Sequence, residues 1–279
     1  MKSVRTCAFL FNCISGIGEV CTLLSYRRLG ISKSLLNDAI RIMTEEENMQ
    51  LSFLHASEAI QPLYAKAGYV AVPSRWSVIK VSPTDFGPLS LSWENRFEFR
   101  QAKFPQDTLN CVAIHKDFSE RRFSGCVIRS EDYWNSYISA ELKDSFFVLA
   151  EKNTSHVCAW ISIRYKSGKY QLRDFGNNTN VLPTGKAFAV LLRKTLSAMK
   201  IQLDHEMNYL PLHLPTAVLD EIKSSVGNLS NGFNFEDAFA DDDLGWMWKS
   251  LRSEGEKGFV CMDEIARKLS HCIWLSDNF

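Results

Sequence analysis

The first part of the chain contains short apolar runs and, between two of them, a stretch in which apolar residues recur at helical spacing. Residues 17–24 form a mostly apolar run that predicts a strand. Residues 44–48 are polar and predict a break, and residues 51–54 then predict a short buried strand. Between the first run and the break, apolar side chains recur every three or four positions and predict a helix: Ile31, Leu35, Leu36, Ala39, Ile40 and Met43.

A second helix and two strands follow directly. Residues 61–67 predict a short helix, because Pro62 is tolerated in a first turn and Gly68 is a typical helix end. Residues 69–72 and 76–81 are rich in β-branched and aromatic side chains and predict strands.

The remainder of the chain repeats this outline of strands followed by a loop and a helix. Residues 82–88 contain proline and glycine and predict a linker. Strands are predicted at 146–150, 157–165 and 170–175, with a hairpin turn at 166–169. The second part is expected to start at 109–118. Helical segments are predicted near 131–138, 185–199 and 262–269. The polar residues 227–243 predict a mobile loop.

These patterns predict an α/β (α+β) protein in which a mixed sheet flanked by helices occurs twice. The expected domains are residues 1–81, a linker at 82–108, and a second, degenerate copy at 109–279. The second copy lacks a basic glycine turn before its long helix, at residues 176–185.

Composition narrows the function classes. The chain has 279 residues with 32 basic and 32 acidic side chains, so its zero formal charge argues against nucleic acid or an anionic membrane as partner. Its 8 cysteines form no C-x-x-C pair, which argues against a metal site and favours a reducing, cytoplasmic location. The alternative of secretion rests on Lys2 and Arg5 before the apolar residues 7–11, a run that Asn12 interrupts.

The segment Arg27–Ser32 carries the candidate chemistry. It follows a predicted strand and opens a predicted helix, so free backbone N–H groups, two arginines and Gly30 come together. Such a cradle suits a diphosphate. The simpler alternative is a solvated basic turn, and another phosphorylated ligand such as a nucleotide is a third interpretation.

This run resembles Q/R-x-x-G-x-G/A, the pyrophosphate loop of the GNAT superfamily of N-acetyltransferases. Ala56-Ser57-Glu58 and the segment from Leu63 to Tyr69 follow in the order that superfamily shows. Together with the degenerate second copy, they resemble the Eis-like tandem GNAT proteins and the fungal free-lysine N-acetyltransferases. The resemblance is specific over residues 17–81 and covers the remainder in outline.

The resemblance implies acetyl-CoA as co-substrate and a primary amine, on a small molecule or a lysine, as acceptor. It implies no metal. By the same resemblance a strand bulge opens a slot for the pantetheine arm, and Ser32 departs from the usual glycine or alanine. The implied acetyl-CoA-binding residues are Val20, Cys21, Thr22, Arg27, Arg28, Leu29, Gly30, Ile31, Ser32 and Ser57.

Tyr64 is the implied general acid, and the C-terminal carboxylate of Phe279 is the implied base. A core tyrosine and a solvated chain end are the respective alternatives. His55 is a further candidate base, although a hydrogen-bonded structural histidine is the simpler interpretation. Cys21 is expected to be a buried small apolar residue rather than a nucleophile.

Two features near the end of the chain are expected to be structural. Trp246 and Trp248 are interpreted as packing residues. The acidic run at 241–243 is interpreted as a solvated loop.

The start of the chain departs from the superfamily. GNAT enzymes have three strands and one or two helices ahead of the strand that feeds the loop, whereas 16 residues precede Ile17 here. We therefore expect an exposed sheet face and strand edge, which a second copy of this chain could cover. The alternative to an N-acetyltransferase is a non-catalytic, truncated or CoA-sensing GNAT-like interaction protein.

Overall fold

This computed structural model describes residues 14–18, 20–82, 95–166, 168–199, 209–225, 233–257, 259, 261, 272 and 274. The strands are β1 (Ile14–Gly16), β2 (Leu51–His55), β3 (Val70–Ala71), β4 (Trp76–Val81), β5 (Phe97–Gln101), β6 (Phe146–Glu151), β7 (Val157–Lys166), β8 (Lys169–Asn177), β9 (Leu210–Pro215), β10 (Phe233–Ala240) and β11 (Trp246–Ser250). The helices are α1 (Ile31–Arg41), α2 (Gln61–Ala65), α3 (Thr108–His115), α4 (Glu131–Tyr133), α5 (Ser139–Leu142), α6 (Thr184–Ala198) and α7 (Thr216–Ser225).

The chain packs as two compact units, and neither unit is one continuous segment. Within the described ranges, the small unit takes residues 14–74 and 242–261, and the large unit takes residues 75–241 with 272 and 274. The expected domains at 1–81 and 109–279, with a linker at 82–108, stay a prediction.

The small unit is built on a four-stranded sheet in the order β1-β2-β11-β3. β1 runs parallel to β2, whereas β11 lies antiparallel to both β2 and β3. Four consecutive residues of β2 are buried, as expected for a strand covered on both faces. The core beside this sheet consists of Leu36, Leu54, Ala56, Tyr64, Tyr69 and Met247.

The large unit is built on a seven-stranded sheet in the order β10-β4-β9-β8-β7-β6-β5. β8 and β9 are parallel, and the remaining neighbours are antiparallel. α6 presents ten buried residues and packs on β6 and β7. The hairpin of β7 and β8 turns at Gly168, whose φ of +79° is easily adopted by glycine.

Both sheets contain the same four-strand arrangement. In the large unit, parallel β8 and β9 are joined across α6, and β4 lies between β9 and β10. In the small unit, parallel β1 and β2 are joined across α1, and β11 lies between β2 and β3. The inserted strand comes from a distant part of the sequence in each case.

The first part of the sequence prediction is largely confirmed. The helix expected at 31–43 is α1, and a π turn at Ile42–Glu46 extends it through the first three residues of the expected polar break. The strand expected at 17–24 is wrong, because β1 ends at Gly16 and Leu24–Tyr26 forms a 3-10 turn.

Two expectations for the second part are corrected or fall outside the described residues. Residues 227–243 do not form a mobile loop in their described part, since β10 pairs with β4 there. The expected linker range contains β5, an edge strand, while residues 83–94 lie outside the described residues. The helix expected at 262–269 also lies outside them.

The large unit buries a charged pair in its core. Arg129 Nη1 lies 2.7 Å from Asp174 Oδ2, and both side chains are fully buried. Trp160 Nε1 donates to Asp174 Oδ1 at 2.9 Å, and the Arg129 guanidinium lies 4.9 Å from the Trp134 ring centroid. Burial, and to a lesser extent the charge of Arg129, holds the pKa of His115 well below its ordinary 6.5. The imidazole near the Arg129–Asp174 pair is therefore neutral.

In the part of the chain that the structure describes, no helix has the length and apolar character needed to cross a bilayer.

Asp174→Asn is expected to lower the free energy of unfolding by about 3–5 kcal/mol, because it leaves the buried Arg129 charge uncompensated. Urea denaturation followed by tryptophan fluorescence measures this. Asp237→Asn is the matched control, since Asp237 forms an exposed ion pair with Lys80 and its loss should barely move the midpoint. Equal shifts in the two variants would contradict the structural role of the buried pair.

Candidate active site

A cleft opens in the small unit where β1 and β2 diverge. The pairing of these strands reaches Gly16 opposite Phe53, and the Ile17 N–H donates to the Phe53 carbonyl at 3.0 Å. β2 continues to His55 beside β11, whereas the chain after β1 leaves the sheet. The cleft has a volume of about 260 Å³. Its lining consists of Gly16, Ile17, Gly18, Val20, Phe53, Leu54, His55, Ala56, Ser57, Ile60, Tyr64 and Trp246.

The basic glycine turn follows the cleft-lining segment in sequence and leads into α1. Gly30 is the residue before α1 and has a φ of +78°, and Arg28 also has a positive φ of 66°. A Cβ at Gly30 would meet no atom of the described chain within 4 Å. Glycine at this position therefore serves the left-handed backbone and leaves room above the turn, rather than a packing contact.

Two hydrogen bonds close this turn. The hydroxyls of Thr22 and Ser32 lie 2.5 Å apart, which ties the segment before the turn to the first turn of α1. Arg27 Nε donates to the Thr22 carbonyl at 3.2 Å. Ser32 stands where the resemblance leads us to expect glycine or alanine, and its hydroxyl supplies a hydrogen bond that those residues could not make.

The start of α1 fits an anion. The capping residue is Gly30, the first turn contains no acidic residue, and among the described residues no side chain caps the leading N–H groups. Arg27 and Arg28 are exposed beside them. Open N–H groups, the positive end of the helix dipole and two arginines together match the donor set that a diphosphate requires.

The corresponding turn of the large unit has a different chemistry. Residues 177–183, ahead of α6, contain no lysine or arginine. The Gly185 N–H in the first turn of α6 donates to the Ser225 hydroxyl at 2.7 Å. One of the leading N–H groups of α6 is thus already bonded to an internal side chain.

The structure places the predicted site residues in two groups. Val20, Ser57 and Tyr64 line the cleft, whereas the run from Arg27 to Ser32 forms the turn and the first two residues of α1, to which Thr22 is bonded. Cys21 is exposed rather than buried, because the segment after β1 is not a strand of the sheet. Phe279 lies outside the described residues, and the roles of all these residues stay predictions.

Tyr64 is held in the cleft by α2. Pro62 stands in the first turn of this short helix, and Gly68 with a φ of +89° follows its end. The Tyr64 ring meets the Tyr69 ring edge-on with centroids 6.1 Å apart. Burial raises the pKa of Tyr64, so its hydroxyl remains protonated at neutral pH.

His55 has a partner that the sequence analysis did not find. His55 Nε2 lies 2.9 Å from Asp243 Oδ1 and 3.1 Å from Oδ2, although 188 positions separate the two residues. The expectation of Asp243 as a solvated acidic residue is therefore wrong. Trp246 is a packing residue as expected, 3% exposed, and its ring meets His55 edge-on at 5.1 Å.

The turn from Asp243 to Gly245 fixes this pair. A Cβ at Gly245 would lie 2.4 Å from His55 Nε2, so the absence of a side chain there makes room for the imidazole. The Ala56 N–H donates to the Gly245 carbonyl at 2.9 Å, and Gln61 Nε2 donates to the Leu244 carbonyl at 2.8 Å.

Among the described residues, no group of three or more histidine, cysteine or acidic side chains is placed to hold a metal ion.

Residues 11–72 match the family model described as an acetyltransferase (GNAT) domain. The range includes the cleft-lining segment, the basic turn, β2, α2 and Tyr64, whereas Asp243 and Trp246 lie outside it. A search of the curated proteins returns no match.

Solved structures share the fold. A GCN5-related N-acetyltransferase from Anabaena variabilis aligns with a TM-score of 0.55 at 16% identity, over 85% of this chain and 55% of that one. Another from Kribbella flavida aligns with a TM-score of 0.54 at 15% identity, over 85% of this chain and 53% of that one. The chain thus spans about half the length of these structures. The predicted GNAT-like α/β fold is confirmed, whereas the narrower resemblance to fungal lysine acetyltransferases stays a prediction.

Gly245→Ala is expected to displace His55 from Asp243, because the new methyl group overlaps the imidazole, at a stability cost of about 1–3 kcal/mol. A crystal structure of the variant and its denaturation midpoint measure both effects. Gly18→Ala is the control within the same cleft, since a Cβ there meets no described atom within 4 Å. An unchanged His55–Asp243 distance in Gly245→Ala would refute the steric argument.

Proposed function

We propose that this protein is an N-acetyltransferase that moves an acetyl group from acetyl-CoA to a primary amine of a small molecule or a lysine. The observation that carries the proposal is the uncapped start of α1 behind the Arg27–Gly30 turn. In sequence, this turn comes after the segment that lines a cleft. The same cleft contains the imidazole of His55 and the phenol of Tyr64. The match of residues 11–72 to an acetyltransferase domain supports the same activity.

The turn would hold the diphosphate of acetyl-CoA. Arg27 and Arg28 offset its charge, and the N–H groups around Leu29, Ile31 and Ser32 donate to its oxygens. Val20, Cys21 and Thr22 lie outside the strands of the sheet and offer backbone groups to the pantetheine arm. Ser57, which follows β2 in sequence, lines the same cleft as Val20.

Two cleft residues handle protons. Acetyl-CoA supplies an acyl group activated as a thioester. When the amine nitrogen bonds to the acyl carbon and the C–S bond breaks, Tyr64 gives its hydroxyl proton to the departing sulfur. His55 accepts the proton that the amine nitrogen loses. The carboxylate of Phe279, outside the described residues, is the alternative base.

Arg27→Ala combined with Gly30→Ala is expected to weaken acetyl-CoA binding by at least 100-fold, about 2.7 kcal/mol. The change removes a charge and strains the positive φ that shapes the turn. Isothermal titration calorimetry with acetyl-CoA measures the loss. Arg41→Ala is the control, because it removes one exposed charge from the far end of α1.

Unchanged affinity in the double variant would remove the turn from the binding site. Desulfo-CoA and ATP, titrated as competitors, separate CoA recognition from the nucleotide interpretation. Tight acetyl-CoA binding without turnover on any primary amine would instead support the non-catalytic, CoA-sensing alternative.

Tyr64→Phe is expected to lower kcat by about 10²-fold with the KM for acetyl-CoA within about twofold, because only the proton donor is lost. Release of free CoA thiol with L-lysine as acceptor amine measures turnover. Tyr69→Phe is the matched control: it removes a neighbouring hydroxyl that is bonded to Ser52 at 2.7 Å and does not line the cleft. Equal turnover of Tyr64→Phe and the wild type would exclude the phenol as acid.

A further inference from the structure

We propose that Asp243 is a positioning residue that fixes the tautomer of His55, leaving Nδ1 as the nitrogen that accepts the amine proton. The inference rests on the proposed function for the role of His55, but its geometric part stands on the contacts of Asp243 itself.

The tautomer follows from the chemistry of the two partners. An ionised carboxylate can only accept hydrogen bonds, and both Asp243 oxygens lie within 3.1 Å of His55 Nε2. When Asp243 is ionised, the hydrogen bond requires that Nε2 carries a proton and donates it toward Asp243. A neutral imidazole with its proton on Nε2 has its lone pair on Nδ1.

The carboxylate is itself held in place. The Gly245 N–H donates to Asp243 Oδ1 at 2.9 Å. The backbones of Asp243 and Ser74 exchange two hydrogen bonds of 2.9 Å each. Because Asp243 is fixed through both its backbone and its side chain, it restricts the imidazole rather than following it.

The same turn also contacts the element that carries the acid. Gln61 Nε2 donates to the Leu244 carbonyl at 2.8 Å and to the Ala56 carbonyl at 3.4 Å. Gln61 opens α2, and Tyr64 lies three residues further along that helix. The turn from Asp243 to Gly245 therefore sets the position of the base and of the acid relative to each other.

The solvent exposure of His55 and Asp243 indicates that their pairing orients the imidazole rather than stabilising the fold. The His55 side chain is 45% exposed and that of Asp243 is 24% exposed, so solvent screens their attraction. Asp243 is the charged group that the described residues place against His55. Tyr64 is the other titratable residue of the cleft lining.

The first test reads the tautomer directly. Nitrogen-15 NMR of the imidazole, assigned by its loss in His55→Gln, is expected to show a proton on Nε2 in the wild-type chain. Asp243→Asn is expected to populate the Nδ1–H form, because the introduced amide can donate to Nε2. A wild-type Nδ1–H tautomer, or no change in Asp243→Asn, would overturn the proposal.

The second test reads turnover, with acetyl-CoA and L-lysine. Asp243→Asn is expected to lower kcat by about 10²-fold with an unchanged KM for acetyl-CoA, as expected when general-base catalysis is lost. Asp242→Asn is the control, since it removes an equal charge from the exposed neighbouring residue. A fall in His55→Gln without a fall in Asp243→Asn would overturn the positioning role.

Failure of the proposed function has a different signature. If the wild-type chain transfers no acetyl group, the N-acetyltransferase proposal fails, and the tautomer measurement alone decides whether Asp243 orients His55. If Tyr64→Phe loses turnover while His55→Gln keeps it, the acid stands and the imidazole is not the base.

Discussion

The pairing of β11 with β2 is the interaction on which the small unit depends. Five residues of β11 oppose the five residues of β2, from Trp246 opposite His55 to Ser250 opposite Leu51. The pairing fills the gap between β2 and β3, buries Met247 in the core, and brings the Asp243–Gly245 turn to the mouth of the cleft. The fold and the candidate chemistry of the first part of the sequence thus both require a strand from its last part.

The sequence allowed good prediction of what is local. The stripe from Ile31 to Met43 predicted α1, and Pro62 and Gly68 marked α2, because helix signals lie within a few residues of each other. The turn before α1 followed from the same short-range motifs, and residues 11–72 match the acetyltransferase (GNAT) domain that these motifs resemble.

What is non-local escaped prediction. No spacing rule connects His55 with Asp243, because the distance along the chain is set by the whole large unit between them. The error at 17–24 has a related cause: an apolar run predicts a strand, but here the chain leaves the sheet so that a cleft can form. The apolar side chains of Leu23 and Leu24 consequently remain exposed, which composition alone does not anticipate.

The insertion of β11 also determines when the small unit can be completed during synthesis. About 190 residues must be translated between β2 and its antiparallel partner, which at roughly 5–20 residues per second takes about 10–40 s. Throughout that interval β2 lacks the backbone hydrogen bonds that β11 later provides. Its apolar side chains, which the finished unit buries, are then without this cover. An unpaired β-edge is a template for pairing with other chains, so such contacts compete with the pairing of β11 until it is synthesised.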